Sequence, residues 1–170
     1  MGLKAPERLT EHHDISDFDC GVPSLTEWLK RSGLKNERND GSRTYVVCDG
    51  QAVVAYYTLA TGAIHRAEAA GKVRRNMPEP VPLVVLGRLA VDERYQGRGI
   101  ASGMLRDGVL RVLAASEQVG IKALLVHALS EDAKRFYLRH GFQVSPADEM
   151  TLMVTIKDAR AHLSAPPTDD

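Results

Sequence analysis

The stretch from Val84 to Ser102 constrains the fold most, because its sequence is typical of a strand, a glycine turn and the start of a helix. β-Branched and aliphatic residues lead into a turn with Gly97 and Gly99, and an amphipathic helical pattern follows at once. The first N–H groups of a helix have no acceptor within the helix and lie at the positive end of its dipole. Glycines let the backbone approach a phosphate without an intervening Cβ. We therefore predict a pyrophosphate-binding site at this turn.

The spacing of the turn excludes two common ligand classes. A nucleoside triphosphate loop ends in Gly-Lys-Ser or Gly-Lys-Thr, and this turn does not. A dinucleotide fingerprint needs a third glycine where this chain has Ser102. The spacing that remains is Arg94-x-x-Gly97-x-Gly99.

The composition favours one domain that needs neither disulfides nor a metal. The chain has 170 residues, of which 44% are hydrophobic, and we expect one domain over residues 1–163 and a disordered tail over 164–170. Two isolated cysteines, no apolar N-terminal run and no apolar stretch of about 20 residues predict a cytoplasmic protein outside the membrane. The neighbouring His12 and His13 would point to opposite faces of a strand, so we expect surface histidines and no metal site.

The first half of the chain predicts a helix among antiparallel strands. The Asp49-Gly50 pair predicts a hairpin with a type I′ turn. The predicted elements are a strand over Glu7–His13, a helix over Ser24–Asn36, strands over Thr44–Cys48 and Val53–Ala60, and a long loop over Gly62–Pro82.

The second half predicts a buried strand and two helices. Pro82 cannot donate a ladder hydrogen bond, so we expect the central strand to begin just after it and to carry a bulge at Gly87. Ser130 and Gly141 are typical N-terminal and C-terminal caps of a helix. The remaining predictions are a helix over Gly99–Val119, a strand over Lys122–Leu129, a strand pair over Phe142–Val144 and Met150–Thr155, and a short helix over Lys157–Leu163.

The basic residues form local clusters within a chain of zero net charge. With 22 basic and 22 acidic residues, only a local patch would bind nucleic acid. The clusters are either solvated surface or contacts to a phosphate backbone. Arg88 stands among apolar neighbours and is costly unless it is paired or lies at a cleft. The candidate contacts are Lys30, Arg31, Lys35, Arg74, Arg75 and Arg88.

The turn resembles the acetyl-coenzyme A signature of the GNAT N-acetyltransferase superfamily, and Phe136-Tyr137-x-x-x-Gly141-Phe142 stands downstream where that superfamily has it. The resemblance implies an α/β (α+β) fold with a mixed, mostly antiparallel central sheet of six to seven strands and helices on both faces. It also implies acetyl-CoA as cosubstrate. The residues that match the cofactor contacts are Leu89, Ala90, Val91, Arg94, Gln96, Gly97, Arg98, Gly99, Ile100, Ala101 and Ser102.

Acyl transfer from a thioester to an amine needs a group that polarises the carbonyl, a deprotonated amine and a proton for the departing thiolate. If a bulge near Gly87 splays the central strand, backbone N–H groups near Leu89 and Val91 would bind the acetyl oxygen. The phenol of Tyr137 is protonated at neutral pH and suits donation to the thiolate. We expect Tyr137 to face the cleft and Phe136 to be buried. No carboxylate stands out as a general base, which favours a weakly basic amine as acceptor.

The segment Phe18–Leu29 resembles the N-terminal signature of one GNAT branch, the toxins of toxin–antitoxin pairs that acetylate aminoacyl-tRNA. Leu86–Gly99 and Met150–Met153 resemble the same branch, so the likeness extends from about Glu7 to Leu163. In that branch the acetyl group goes to the α-amine of a charged tRNA, which blocks translation. A ribbon-helix-helix antitoxin neutralises the enzyme, and homodimers are usual. The catalytic tyrosine of the branch matches Tyr137.

Two further functions fit the same residues. One is a GNAT enzyme that acetylates a small amine or a protein N-terminus, and the other is an acyl-CoA binder without catalytic activity. The toxins of this branch tend to be basic whereas this chain is neutral, so binding of tRNA would depend on the local patches. The three hypotheses therefore differ in the acetyl acceptor, which is aminoacyl-tRNA in the first, a small amine or a protein N-terminus in the second, and absent in the third.

Overall fold

In the computed structural model, which describes residues 2–164, seven strands form one sheet. The order across the sheet is β1-β2-β3-β4-β5-β7-β6. The pairs β1–β2, β2–β3, β5–β7 and β6–β7 are antiparallel, which confirms the predicted α/β class and strand number. The strands are β1 (Glu7–Arg8), β2 (Arg43–Asp49), β3 (Ala52–Ile64), β4 (Val81–Val91), β5 (Ala123–His127), β6 (Gln143–Val144) and β7 (Thr151–Thr155).

Six α-helices accompany the sheet within the described residues. The helices are α1 (Pro23–Trp28), α2 (Leu34–Arg38), α3 (Gly71–Arg74), α4 (Ile100–Ser116), α5 (Glu131–Arg139) and α6 (Ile156–Ser164). A π-helical turn over Leu29–Gly33 joins α1 to α2, and 3-10 turns cover Arg66–Glu68 and Glu93–Tyr95. No helix within residues 2–164 combines the length and the apolar character that crossing a membrane requires.

The chain divides into two compact units, each with its own core. The first contains the residues up to Ala60 together with Leu86–Gly108, and the second contains Thr61–Val85 and the described residues from Val109 onward. The expectation of one domain over residues 1–163 stays a prediction. The expected tail begins at Ser164, which ends α6, and residues 165–170 lie outside the described part of the chain.

An aromatic stack holds α1 on the sheet of the first unit. Tyr56 of β3 is fully buried, and its ring meets the edge of Phe18 at 5.6 Å between centroids. The indole of Trp28 lies nearly parallel to Tyr56 at 5.9 Å, and the Tyr56 hydroxyl donates to the Leu25 carbonyl. Large aromatic surfaces of this kind supply much of the stabilisation of a core.

Small residues build the core of the second unit. Ala69, Ala70 and Val73 are buried, and they pack with Leu125 and Met153 in one apolar cluster. Short side chains let the backbone come close, so that the Ala70 N–H lies 3.4 Å from the Met153 sulfur. The loop expected over residues 62–82 is therefore wrong in part: β3 continues to Ile64 and α3 follows.

The first strands differ from their predicted form. β1 covers only Glu7–Arg8, because the chain turns at Thr10, whose carbonyl accepts from the His13 N–H at 3.2 Å. In the hairpin, Asp49 pairs with Ala52, so the two central residues are Gly50 and Gln51. Only Gly50 has a positive φ, of 65°, which is the pattern of a type II′ turn and not of the expected type I′ turn.

Pro82 lies inside β4, which begins at Val81. The proline keeps its carbonyl as an acceptor, and the Lys122 N–H donates to it at 2.9 Å. The prediction that the strand starts after Pro82 is therefore wrong by two residues.

Both predicted caps of α5 are confirmed. The Ser130 hydroxyl accepts from the Ala133 N–H at 3.1 Å at the start of the helix. At its end Gly141 has a φ of 89°, and its N–H donates to the Leu138 carbonyl. The Phe142 N–H donates to the Tyr137 carbonyl, which completes a Schellman motif. The rings of Tyr137 and Phe142 lie 5.5 Å apart, so the cap also fixes the position of Tyr137.

We expect Gly141→Ala to lower the free energy of unfolding by about 1–2 kcal/mol, because a Cβ is strained in the left-handed conformation at this position. Urea denaturation measures the change. Gly120→Ala is the matched control, since Gly120 has no positive φ and a Cβ there would meet no atom within 4 Å. Equal stability of the two variants would contradict the assigned cap.

Candidate functional site

A buried carboxylate organises the glycine turn. Asp92 follows β4 directly and is only 1% exposed. It accepts hydrogen bonds from the Arg94 N–H at 2.9 Å, from Nε and a terminal nitrogen of Arg94 at 3.0 Å each, and from the Asp19 N–H at 3.2 Å. The Arg94 guanidinium, helped by these N–H groups, holds the pKa of Asp92 below its usual value. Asp92 is therefore ionised at neutral pH and closes the 3-10 turn over Glu93–Tyr95.

The side chains of the turn bond back to the protein. The Gln96 amide donates to the Val91 carbonyl at 2.9 Å and to the Cys20 carbonyl at 3.2 Å. The Tyr95 hydroxyl donates to Asp49 at 2.8 Å. Gln96, like Arg94, thus shapes the turn with its side chain. The part of the turn that remains for a ligand is the backbone that follows Gln96.

That backbone has the conformation an anion site requires. Gly97 and Gly99 have φ values of 78° and 80°, and a Cβ at either would meet no protein atom within 4 Å. The first helical hydrogen bond of α4 runs from the Gly103 N–H to the Gly99 carbonyl. The N–H groups of Ile100 and Ala101 precede it, so no carbonyl one turn earlier in the helix accepts from them. Open space and N–H groups at a helix N-terminus fit a pyrophosphate.

The end of β4 supplies the other predicted cofactor contacts. Ala90 and Val91 are buried and Leu89 is half-buried. Gly87 leaves little room for a side chain, because a Cβ there would lie 3.0 Å from the Thr58 hydroxyl oxygen. The bulge expected at Gly87 stays a prediction.

Arg88 lies on the same aromatic stack that holds α1. Its guanidinium carbon lies 4.0 Å from the centre of the Trp28 ring. Burial lowers the pKa of Arg88, while nearby Tyr56 acts in the opposite direction. Within residues 2–164 Arg88 forms no ion pair, so its partner is the indole face. The sequence predicted that Arg88 is paired or lies at a cleft, and the structure pairs it with Trp28 in a cation–π contact.

The other candidate phosphate contacts belong to two different units. Lys30, Arg31 and Lys35 are exposed on the first unit, and Arg31 pairs with Glu27 at 2.7 Å. Arg74 and Arg75 are exposed on the second unit at the end of α3.

Tyr137 is the buried aromatic of α5. It is 6% exposed, whereas Phe136 is half-buried and packs against the His140 ring at 4.7 Å. The expectation that Phe136 is the buried residue is wrong, because the Schellman motif turns Tyr137 onto Phe142. Burial raises the pKa of Tyr137, and its hydroxyl has no hydrogen-bond partner in the described part of the chain. The phenol therefore keeps its proton at neutral pH.

One cluster has the residue types of a metal site. Ligand atoms of Glu7, His13 and Cys48 lie within 4.8 Å of one another. His13 Nδ1 accepts from the Thr10 N–H at 2.9 Å, so its proton lies on Nε2 and is directed to Glu7 at 2.8 Å. Burial raises the pKa of the Cys48 thiol. His13 is more buried than the surface position we expected, with 11% of its side chain exposed.

Comparison with known proteins points to one family. A family model described as an acetyltransferase (GNAT) domain matches residues 40–144. The chain is 46% identical over 160 residues to a "tRNA-acetylating toxin" of Mycobacterium tuberculosis, a match that covers 94% of this chain and 96% of the relative.

Solved structures agree with this match. AtaT complexed with acetyl-methionyl-tRNAfMet is 32% identical with a TM-score of 0.88, and the match covers 96% of this chain and 100% of AtaT. A tyrosine-to-phenylalanine mutant of the AtaT toxin, bound to the C-terminus of the antitoxin AtaR and acetyl-CoA, is 31% identical with a TM-score of 0.83. That match covers 97% of this chain and 100% of the mutant.

We expect Gly99→Ala to weaken binding of acetyl-CoA about tenfold or more, since a Cβ would strain the turn and stand where a phosphate approaches the N–H groups. Isothermal titration calorimetry measures the affinity. Gly103→Ala is the matched control, because Gly103 lies inside α4 and a Cβ there meets no atom within 4 Å. An unchanged affinity of Gly99→Ala would exclude the turn as the phosphate site.

Proposed function

The chain belongs to the GNAT acetyltransferases, in the branch of the tRNA-acetylating toxins, and we propose that it transfers the acetyl group of acetyl-CoA to the α-amine of aminoacyl-tRNA. This transfer blocks translation, because an acetylated α-amine is no longer a nucleophile for peptide-bond formation. The observation that carries the proposal is the 46% identity to a tRNA-acetylating toxin over 94% of the chain.

The glycine turn and the end of β4 form the proposed binding surface for the cosubstrate. Acetyl-CoA supplies an activated thioester when it is bound. The backbone N–H groups after Gly97 bind its pyrophosphate, and Asp92, Arg94 and Gln96 hold the turn in the conformation that presents them. The proposed contacts are Leu89, Ala90, Val91, Arg94, Gln96, Gly97, Arg98, Gly99, Ile100, Ala101 and Ser102.

Backbone N–H groups at the end of β4 polarise the acetyl carbonyl in this proposal. Donors held in a fixed backbone need no reorganisation when charge develops on the oxygen, and this makes them effective. Leu89 and Val91 carry the N–H groups proposed for this role.

Tyr137 is the proposed general acid. Its phenol is buried and protonated, and its hydroxyl has no partner among the described residues, so the proton remains available to a thiolate. The Schellman motif at Gly141 holds the ring in place without using the hydroxyl.

The nucleic-acid contacts and the protein partners complete the proposal. The exposed Lys30, Arg31, Lys35, Arg74 and Arg75 bind the tRNA backbone together with Arg88. A ribbon-helix-helix antitoxin neutralises the enzyme, and AtaT bound to the C-terminus of the antitoxin AtaR supports a protein partner of this kind. We also propose a homodimer. Charged tRNA is a cytoplasmic molecule, so the proposal places the protein in the cytoplasm.

Acetyl transfer from labelled acetyl-CoA to charged tRNA tests the proposed function. We expect label in a bulk mixture of charged tRNAs and none in the same mixture after deacylation, because deacylation removes the α-amine. Scintillation counting of precipitated tRNA measures the transfer. No label in either pool, from protein that still binds acetyl-CoA, would contradict the proposal and favour a small amine or a protein N-terminus as acceptor.

We expect Tyr137→Phe to lower the single-turnover rate of transfer by about 10²–10⁴-fold, the range for loss of a general acid. The affinity for acetyl-CoA and the stability should not change, because the hydroxyl bonds to no residue that the structure describes. Phe136→Leu is the control for altered packing on the same helix. Comparable rates in wild type and Tyr137→Phe would exclude Tyr137 as the acid.

A further inference from the structure

A chain of hydrogen bonds ends at an exposed histidine on β5. His127 is the last residue of the strand, and its Nδ1 lies 2.9 Å from the hydroxyl oxygen of Thr151, its partner on β7. The Thr151 hydroxyl donates to Asp148 at 2.9 Å. Asp148 also accepts from the Met150 N–H at 2.9 Å. Asp148, Thr151 and His127 thus form one connected network.

The network determines which nitrogen of His127 carries the proton. The hydrogen bonds from Met150 and Thr151 hold the pKa of Asp148 below its usual value, so this carboxylate is ionised and only accepts. The single hydroxyl proton of Thr151 is therefore directed to Asp148. His127 Nδ1 must then be the donor to the threonine oxygen. In the neutral imidazole this leaves a lone pair on Nε2.

That lone pair is available to a ligand. His127 is exposed although the strand before it is buried, and its Nε2 has no hydrogen-bond partner among residues 2–164. A side chain with a fixed tautomer and an unpartnered outer nitrogen can accept a proton from a bound ligand.

His127 belongs to the same compact unit as Tyr137 and two of the proposed tRNA contacts. Side chains alternate along β5, so His127 lies on the face of Leu125, which packs with Val73 of α3. Arg74 and Arg75, two of the proposed tRNA contacts, follow Val73 directly. After His127 the chain leads within a few residues into α5, the helix that carries Tyr137.

We propose that His127 is the general base that removes a proton from the acceptor amine, held in its reactive tautomer by Thr151 and Asp148. This inference rests on the proposed function, because it assigns a role in the transfer of acetyl to an amine. It supplies the base that no carboxylate of the sequence offered.

The proton balance of the step is complete. The ammonium form of the acceptor gives one proton to His127 Nε2, and the exposed imidazolium later releases it to solvent. The neutral amine forms the nitrogen–carbon bond to the acetyl carbonyl, and the carbon–sulfur bond breaks. Tyr137 gives its proton to the departing thiolate, and the second proton lost by the amine nitrogen restores the phenol. The products are the amide, coenzyme A and one proton.

His127→Ala tests the role directly. We expect kcat for charged tRNA to fall about 10²-fold, with the affinity for acetyl-CoA unchanged. Added imidazole should restore a large part of the rate, because a free base can enter the space that the side chain leaves. Thr151→Val should lower the rate by less and Thr151→Ser should keep it, since serine retains the hydroxyl. His12→Ala is the control, because His12 is an exposed histidine of the other unit, with 86% of its side chain accessible.

Each outcome decides between the two proposals. If wild type transfers no acetyl to charged tRNA, the proposed function fails, and this inference fails with it. If wild type is active and His127→Ala has an unchanged kcat, only the inference fails. A loss of rate that imidazole does not restore, in protein with an unchanged unfolding midpoint, would assign His127 a structural role and overturn the inference as well.

Discussion

The buried carboxylate of Asp92 is the interaction on which the site depends. Its oxygens accept from Arg94 and from the N–H of Asp19, and its own N–H donates to the Val54 carbonyl at 2.8 Å. Hydrogen bonds to a charged group contribute about 1.5–3 kcal/mol each, and a buried charge without them would be costly. Asp92 therefore ties the end of β4 to β3 through its N–H and to the N-terminal loop through its carboxylate. Gly97 and Gly99, whose positive φ angles precede the first N–H groups of α4, lie a few residues after that anchor.

The proposed chemistry uses the ends of regular elements, where backbone groups and caps are held rigidly. The N-terminus of α4 offers N–H groups, and the C-terminal cap of α5 orients Tyr137. His127 ends β5 and receives its orientation from Thr151 on the paired strand. In each case the hydrogen bonds that position the reactive group are made by other atoms, so the reactive atom itself stays available. This separation explains how the Tyr137 hydroxyl and His127 Nε2 have no partner in the described residues although their surroundings are well bonded.

Local signals in the sequence predicted the parts of the fold that depend on neighbouring residues. The glycine turn, α4 and both caps of α5 were predictable, because a helix end is specified within about one turn of chain. Contacts between residues that are distant in the sequence were not predictable. The bond from the Asp19 N–H to Asp92 spans 73 positions, and no periodicity encodes it. Gly141 could have predicted that Tyr137 is buried in place of Phe136. A Schellman motif packs the residue four positions before its glycine against the residue that follows the glycine, and here these are Tyr137 and Phe142. The sequence placed His127 inside the predicted strand over Lys122–Leu129, and it gave no sign of the network because Thr151 and Asp148 are remote in sequence.

The charges also explain why zero net charge does not argue against nucleic acid. Several arginines are paired with buried carboxylates: Arg94 bonds to Asp92, and Arg8 and Arg43 bond to Glu37. Each of these pairs adds to the counts of basic and acidic residues but contributes little to the electrostatic field at the protein surface. Because salt screens exposed charges beyond about 8–10 Å, a phosphate senses the nearest cations and not the sum over the chain. Lys30, Lys35, Arg74 and Arg75, the exposed residues that we propose as tRNA contacts, contribute to a local field that the net charge of the chain conceals.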